Sequence, residues 1–193
     1  MPDSIPGMIL TGEGVRLRPW ERADTERVRG WVNDPHVART VDRATPVNDH
    51  GHARWFEHML EAPGAVLYAV ELAGGAHVGN VWLWDVDPRH GKAEVRILLG
   101  DPAARGKGAG TEALTLLAEH AWKGLRLSRL YAYVLAGNAP ARASFTKAGF
   151  QEEGLLRADR WVDGAWSDVV VFGRNVSERA SPSGAAPRSP APR

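Results

Sequence analysis

Three observations predict an α/β (α+β) domain whose mostly antiparallel sheet is flanked by helices. The elements run strand, two helices, three strands, helix, strand, helix, two strands, with no internal repeat. The three middle strands are joined by turns too short for a crossover, so they read as an antiparallel meander. The helix after them carries a single apolar stripe, suited to covering one face of a sheet.

The first strand is expected at Val15 to Pro19. The helix after it has Val28, Trp31 and Val32 on one side, Asp24 as its cap, and Asn33-Asp34-Pro35 as its stop. A second helix, from about His52 to Glu61, gathers Ala53, Phe56, Met59 and Leu60 and ends before Pro63-Gly64. These two helices are expected to pack together over the substrate side. The meander follows as Val66–Leu72, Ala76–Trp84 and Ala93–Leu99, broken at Gly74-Gly75 and at Asp87–Gly91. Leu114, Leu117, Ala118 and Ala121 form the stripe of the next helix, which ends by Gly124. A strand at Ser128–Leu135 leads to a helix begun by Asn138 with Pro140 in its first turn and closed by Gly149. Strands at Phe150–Leu155 and Asp168–Arg174 complete the domain, taken as residues 1–179. Residues 180–193 are Ser, Pro, Ala, Gly and Arg without periodicity and are expected to be a disordered tail.

A chain of 193 residues with 44% hydrophobic content suits one compact domain with a sizeable core. The net charge of +1 gives no global field for nucleic acid, so any anion site must be local. The absence of cysteine excludes disulfides, thiolate metal sites and a cysteine nucleophile. No stretch approaches a membrane span, and a soluble cytoplasmic protein is expected. His77, His90 and His120 are scattered without metal-ligand spacing, so solvated or packing roles are expected and no metal is required.

The densest chemical signal is Arg105-Gly106-Lys107-Gly108-Ala109-Gly110-Thr111, between a strand and a helix. Glycines let a ligand approach the backbone, and the helix start offers unpaired N–H groups to an anion. A Gly-rich turn of no further consequence is the alternative. A P-loop does not fit, because Gly100 and Gly106 are separated by five residues where four are needed, and Lys107 is followed by Gly108, not Ser or Thr. The dinucleotide fingerprint also fails, since the glycines run G-x-G-x-G and Ser128-Arg129 stand where an acidic residue belongs.

Arg105-x-x-Gly108-x-Gly110 does resemble the acyl-CoA pyrophosphate loop of GNAT N-acetyltransferases. Trp31-Val32-Asn33-Asp34-Pro35 resembles the W-x-N-D-P segment of the RimJ/RimL-like branch, and Asn138 through Ala148-Gly149-Phe150 its N-x-x-S/A…K-x-G-F segment. The likeness covers roughly residues 12 to 175. It implies the GNAT acyl-CoA N-acyltransferase fold, a mixed sheet with splayed central strands, here Ala93–Leu99 and Ser128–Leu135. Acetyl-CoA would be the co-substrate, attacked directly by an amine in a ternary complex.

On that resemblance the backbone near Ile97, Leu98 and Leu99 would hold the pantetheine like an added strand, with residues Arg105 to Thr111 on the pyrophosphate and Asn138 beside the CoA arm. Asn138 also suits an N-cap. Glu94 is the candidate base, acting through water, with an exposed Glu94–Arg96 surface pair as the alternative. Trp82 and Trp84, on one strand face, could wall the acceptor, and Asp85 could attract a cationic amine. Phe145 stands on the CoA side where many relatives have a proton-donating tyrosine, and Ala141 where the branch has serine. Neither side chain can serve as a general acid. The acceptor is expected to be a protein N-terminal amine or a small-molecule amine such as an antibiotic, polyamine or amino sugar. A homodimer is left open, and neither nucleic acid nor a membrane is expected as partner. The rival expectation is a non-catalytic acyl-CoA-binding module.

Overall fold

The computed structural model describes residues 8–41 and 45–176, so the expected tail at 180–193 lies outside the described residues. Among the described residues eight strands form one sheet in the order β1-β2-β3-β4-β5-β6-β8-β7. They are β1 (Leu10–Thr11), β2 (Val15–Pro19), β3 (Val66–Leu72), β4 (His77–Asp87), β5 (Lys92–Leu99), β6 (Arg129–Leu135), β7 (Gln151–Val162) and β8 (Ala165–Asn175). Every neighbouring pair is antiparallel except β5 with β6. The meander and the mixed sheet are therefore as expected.

Among the described residues five α-helices cover the two faces: α1 (Thr25–Val32), α2 (Pro35–Thr40), α3 (Asp49–Glu61), α4 (Ala109–Lys123) and α5 (Ala139–Lys147). Strand alternation sends Val81, Leu83, Ala93, Val95, Leu130 and Ala132 to one face, where the stripe of α4 (Leu114, Leu117, Ala118, Ala121) buries them with Phe145 of α5. The other face carries Trp82, Trp84 and Leu98, packed under Val28 and Val32 of α1, Val37 of α2, and Phe56 and Met59 of α3. The early helices thus lie over the face that holds the expected acceptor wall. None of the described helices is long and apolar enough to cross a membrane.

Two expectations near the amino end need correcting. Asp24 occupies the cap position of α1 but makes no side-chain cap bond. Its carboxylate instead accepts from the Glu21 N–H (2.9 Å) and from both ends of the Arg18 guanidinium (2.7 and 2.8 Å), because an ion pair outweighs a single capping bond. Asn33-Asp34-Pro35 ends α1 but also starts α2: Asp34 accepts from the His36 and Val37 amides, and Pro35 fills the first turn. Asn33 clamps the following loop through paired bonds with the Val47 backbone (2.8 and 2.9 Å). Trp31 lies so close to the Gly100 backbone that a Cβ there would sit 2.0 Å from the indole. The W-x-N-D-P segment is a packing device in this structure. The last hairpin also runs well past its expected limits, Trp161 pairing with Trp166 near its tip.

Candidate active site

The parallel ladder between β5 and β6 spans Lys92/Arg129 to Glu94/Tyr131. Both strands continue beyond it, to Leu99 and Leu135, without pairing to each other. Between them opens a cleft of about 570 Å³. Glu94 to Leu98 line one side and Tyr133 to Leu135 the other, with Asn138, Ala141 and Phe145 beneath and Trp20, Trp55, Trp82 and Asn80 above. The structure thus brings together Glu94, Ile97, Leu98, Asn138, Phe145 and Trp82 from the sequence-derived candidates. Leu99, Trp84 and Asp85 lie outside the lining, as do the loop residues Arg105 to Thr111.

Because β4 and β5 pair in register, their residues on the acceptor face meet as Asn80 with Leu98, Trp82 with Arg96, and Trp84 with Glu94. Glu94 and Arg96 form a bidentate pair, Nε–Oε1 at 2.7 Å and Nη2–Oε2 at 3.0 Å. The Glu94 side chain is 13% exposed and that of Arg96 46%, and the guanidinium lies 5.7 Å over the Trp84 ring. The surface-pair alternative for Glu94 is therefore present in fact, yet the same carboxylate borders the cleft. A carboxylate has about four lone-pair positions, so two guanidinium bonds leave room for water. Burial raises the pKa of the neighbouring Tyr131 hydroxyl, with the charges of Asp85 and Glu94 adding to the rise. Asp85 stands beside this cluster as an exposed residue at φ 51.

Asn138 caps α5, its Oδ1 accepting from the Ala141 amide at 3.2 Å. Phe145 is a core residue, edge-on to Phe150 at 5.1 Å and stacked on Phe172 at 5.6 Å. At the start of α4, Gly106 (φ 71) and Gly108 (φ 86) hold left-handed conformations, and a Cβ at either would meet nothing within 4 Å. An open turn at a helix start, with no Cβ at Gly106 or Gly108, is what close approach of a phosphate requires. Arg105 is tied back to the Gly100 carbonyl (2.7 Å), which leaves Lys107 as the exposed cation of the loop.

A polar chain that the sequence did not disclose, exposed at Arg16 and buried from Glu71 to Asn80, runs behind the cleft. Arg16 and Arg18 both bond Glu71, Arg18 also bonds Asp24, and His77 Nδ1 lies 3.2 Å from Asp24. His77 Nε2 is 2.9 Å from both the Gly79 carbonyl and Asn80 Oδ1. Burial alone would raise the Asp24 carboxyl, but hydrogen bonds from Arg18 and His77 outweigh it and hold the group well below the usual carboxylate range. For Glu71, too, burial is opposed and overcome, here by Arg16 and Arg18. His77, expected to have a solvated or packing role, is a member of this chain. Its signal was missed because its partners lie 53 and 3 residues away along the sequence.

Comparison with known proteins accords with this geometry. A family model described as "Acetyltransferase (GNAT) domain" matches residues 15–151. A Bacillus subtilis (strain 168) protein named "Probable N-acetyltransferase YjcK" is 38% identical over 174 residues, covering 85% of this chain and 95% of that protein. Among solved structures, spermidine N-acetyltransferase from Vibrio cholerae in complex with CoA and spermine aligns with a TM-score of 0.77 at 22% identity, covering 86% of this chain and 98% of that one. Mycobacterium smegmatis RimJ in complex with CoA-disulfide aligns with a TM-score of 0.74 at 25% identity, covering 91% and 88%. By the family match, the fold and the splayed strands together, this chain belongs to the GNAT acetyltransferase family.

Proposed function

We propose that this chain transfers an acetyl group from acetyl-CoA to a primary amine by direct attack in a ternary complex, and that it acts in the cytoplasm as a member of the RimJ/RimL-like branch. The observation that carries this is the divergence of β5 and β6 after Glu94/Tyr131, which exposes the β5 edge to a cleft lined by Ile97, Leu98 and Asn138. That edge supports an extended pantetheine chain through the backbone of Ile97, Leu98 and Leu99, in the manner of an added strand. The open glycine turn at Gly106 and Gly108 fits a pyrophosphate. The thioester, when bound, supplies an activated acetyl carbon.

The rest falls to the protein. The backbone N–H groups of β5 polarise the carbonyl, and Trp20, Trp55 and Trp82 give the amine an aromatic wall. Glu94 accepts the ammonium proton through water while Arg96 fixes its orientation. With Phe145 in the core, thiolate protonation falls to solvent or to the proton leaving the amine. Among the described lining residues the charged groups Glu94, Arg96 and Arg160 are already in ion pairs, the last with Asp159. A polycation would find no unengaged carboxylate there, so the lining favours a singly charged amine, of a peptide or a small molecule, over a polyamine.

The test is release of CoA thiol from acetyl-CoA in the presence of dipeptides, amino sugars and spermidine. Turnover with at least one amine, accompanied by acetylated product, is expected. Saturable acetyl-CoA binding with no turnover on any amine would leave the non-catalytic module as the better reading.

A further inference from the structure

We propose that Asn80 is a specificity-determining residue, its carboxamide N–H donating to an oxygen carried next to the reacting amine of the acceptor. The inference rests on the acetyltransferase reading above. Asn80 is 1% exposed, and it is one of the residues that wall the cleft. Its position opposite Leu98 puts it at the depth of the β5 edge where the thioester would be held, on the same sheet face as Trp82 and Arg96.

Which end of its carboxamide meets the cleft follows from its neighbour. The Gly79 carbonyl 2.9 Å from His77 Nε2 can only accept, and so can the Asp24 carboxylate 3.2 Å from Nδ1, so each ring nitrogen faces an acceptor and Nε2 is a donor. Asn80 Oδ1 lies 2.9 Å from the same nitrogen, and an amide turned the other way would set donor against donor. The oxygen is therefore spoken for, and the NH₂ is left to face the cleft. His77 is itself held within 3.2 Å of Asp24, which Arg18 grips at both oxygens, so the orientation is fixed from behind by a buried ionic chain. A rigid donor beside the acetyl site, with Glu94, the carboxylate among the described lining residues, held by Arg96, recognises a carbonyl or carboxylate oxygen. The acceptor class is an amine bearing such an oxygen two or three bonds away, as in an α-amino amide.

The test compares wild type with Asn80→Asp and Asn80→Ala, using L-alanyl-L-alanine and spermidine as acceptors. Asn80→Asp keeps an oxygen toward His77 and replaces the donor with a second oxygen. It should raise the KM for the dipeptide roughly tenfold or more, the cost of a buried unmatched acceptor pair, while leaving the KM for acetyl-CoA unchanged. The same variant should improve kcat/KM for spermidine, and Asn80→Ala should weaken the dipeptide without that gain. Calorimetry of both ligands on the CoA-saturated proteins supplies the same comparison without turnover, so it decides the proposal even if the wild type acetylates neither amine, an outcome that would count against the enzyme reading alone. Equal changes for the two ligands, or no change in either, would overturn the assignment of Asn80.

Discussion

Replacing Glu94 with glutamine separates what the carboxylate does for the fold from what it does for the reaction. The substitution is isosteric and removes the charge that Arg96 grips at 2.7 and 3.0 Å. Since the Arg96 side chain is 46% exposed, solvent screens the pair, and its loss should cost only about 0–1 kcal/mol of stability. If Glu94 takes the ammonium proton through water, turnover should fall by roughly 10²–10⁴-fold, about 2.7–5.4 kcal/mol of barrier. The effect on rate therefore exceeds the effect on folding by several kcal/mol. The assay is kcat at saturating acetyl-CoA across neutral to alkaline pH, with denaturant unfolding of both proteins as control. As pH rises, more of the amine is already neutral, so the deficit should shrink. A deficit constant across the pH range, or a kcat indifferent to the substitution, would refute Glu94 as the base.

Three further outcomes follow from the packing. Asp24 and Glu71 have folded values held below their ordinary 3.8 and 4.5, so their stabilisation is complete above those values and is lost as pH falls through the depressed ones. The share of the unfolding free energy that these two carboxylates supply should be flat above about pH 5 and decline in acid, and Asp24→Asn should cost about 1–3 kcal/mol at neutral pH by leaving Arg18 with Glu71 as its one carboxylate partner; a neutral effect in denaturant melts would contradict the buried chain. Gly100→Ala should destabilise by about 1–3 kcal/mol, because its Cβ would lie 2.0 Å from Trp31, and pairing it with Trp31→Leu should restore much of the loss in a double-mutant cycle. Phe145→Tyr should leave kcat little changed, whereas a rise of an order of magnitude would show that thiolate protonation limits the wild type.

Two strands were legible to the residue, whereas the strongly buried β4, expected at Ala76–Trp84, runs from His77 to Asp87. Val15–Pro19 and Val66–Leu72 coincide with β2 and β3 because Val15 and Leu17 alternate inward in the first and Tyr68, Ala69 and Val70 are buried in the middle of the second. β7 is an edge strand exposed along most of its length, so past Leu155 no alternation announces that it continues to Val162. α2 was hidden by reading Asp34-Pro35 only as a stop, although a cap residue before proline is equally a start. The turn of Gly106 and Gly108 and the capping role of Asn138 are local features and were readable. Asp24 was misassigned because the ion pair with Arg18 that claims it forms only when β2 folds beside the first helical turn. The Arg16–Glu71–Arg18–Asp24–His77–Asn80 chain joins residues far apart in sequence, and no spacing rule reports such a contact.

The central claim is that acetyl-CoA occupies the divergence of β5 and β6 with its pyrophosphate on the glycine turn. Calorimetric titration of acetyl-CoA into wild type and Gly108→Val tests it most directly. The wild type should bind one equivalent saturably. In the variant, a branched side chain would stand in the open space at a position whose φ is 86°, and it should bind at least tenfold more weakly while keeping a cooperative melt. Equal affinity in a folded Gly108→Val protein would contradict the account.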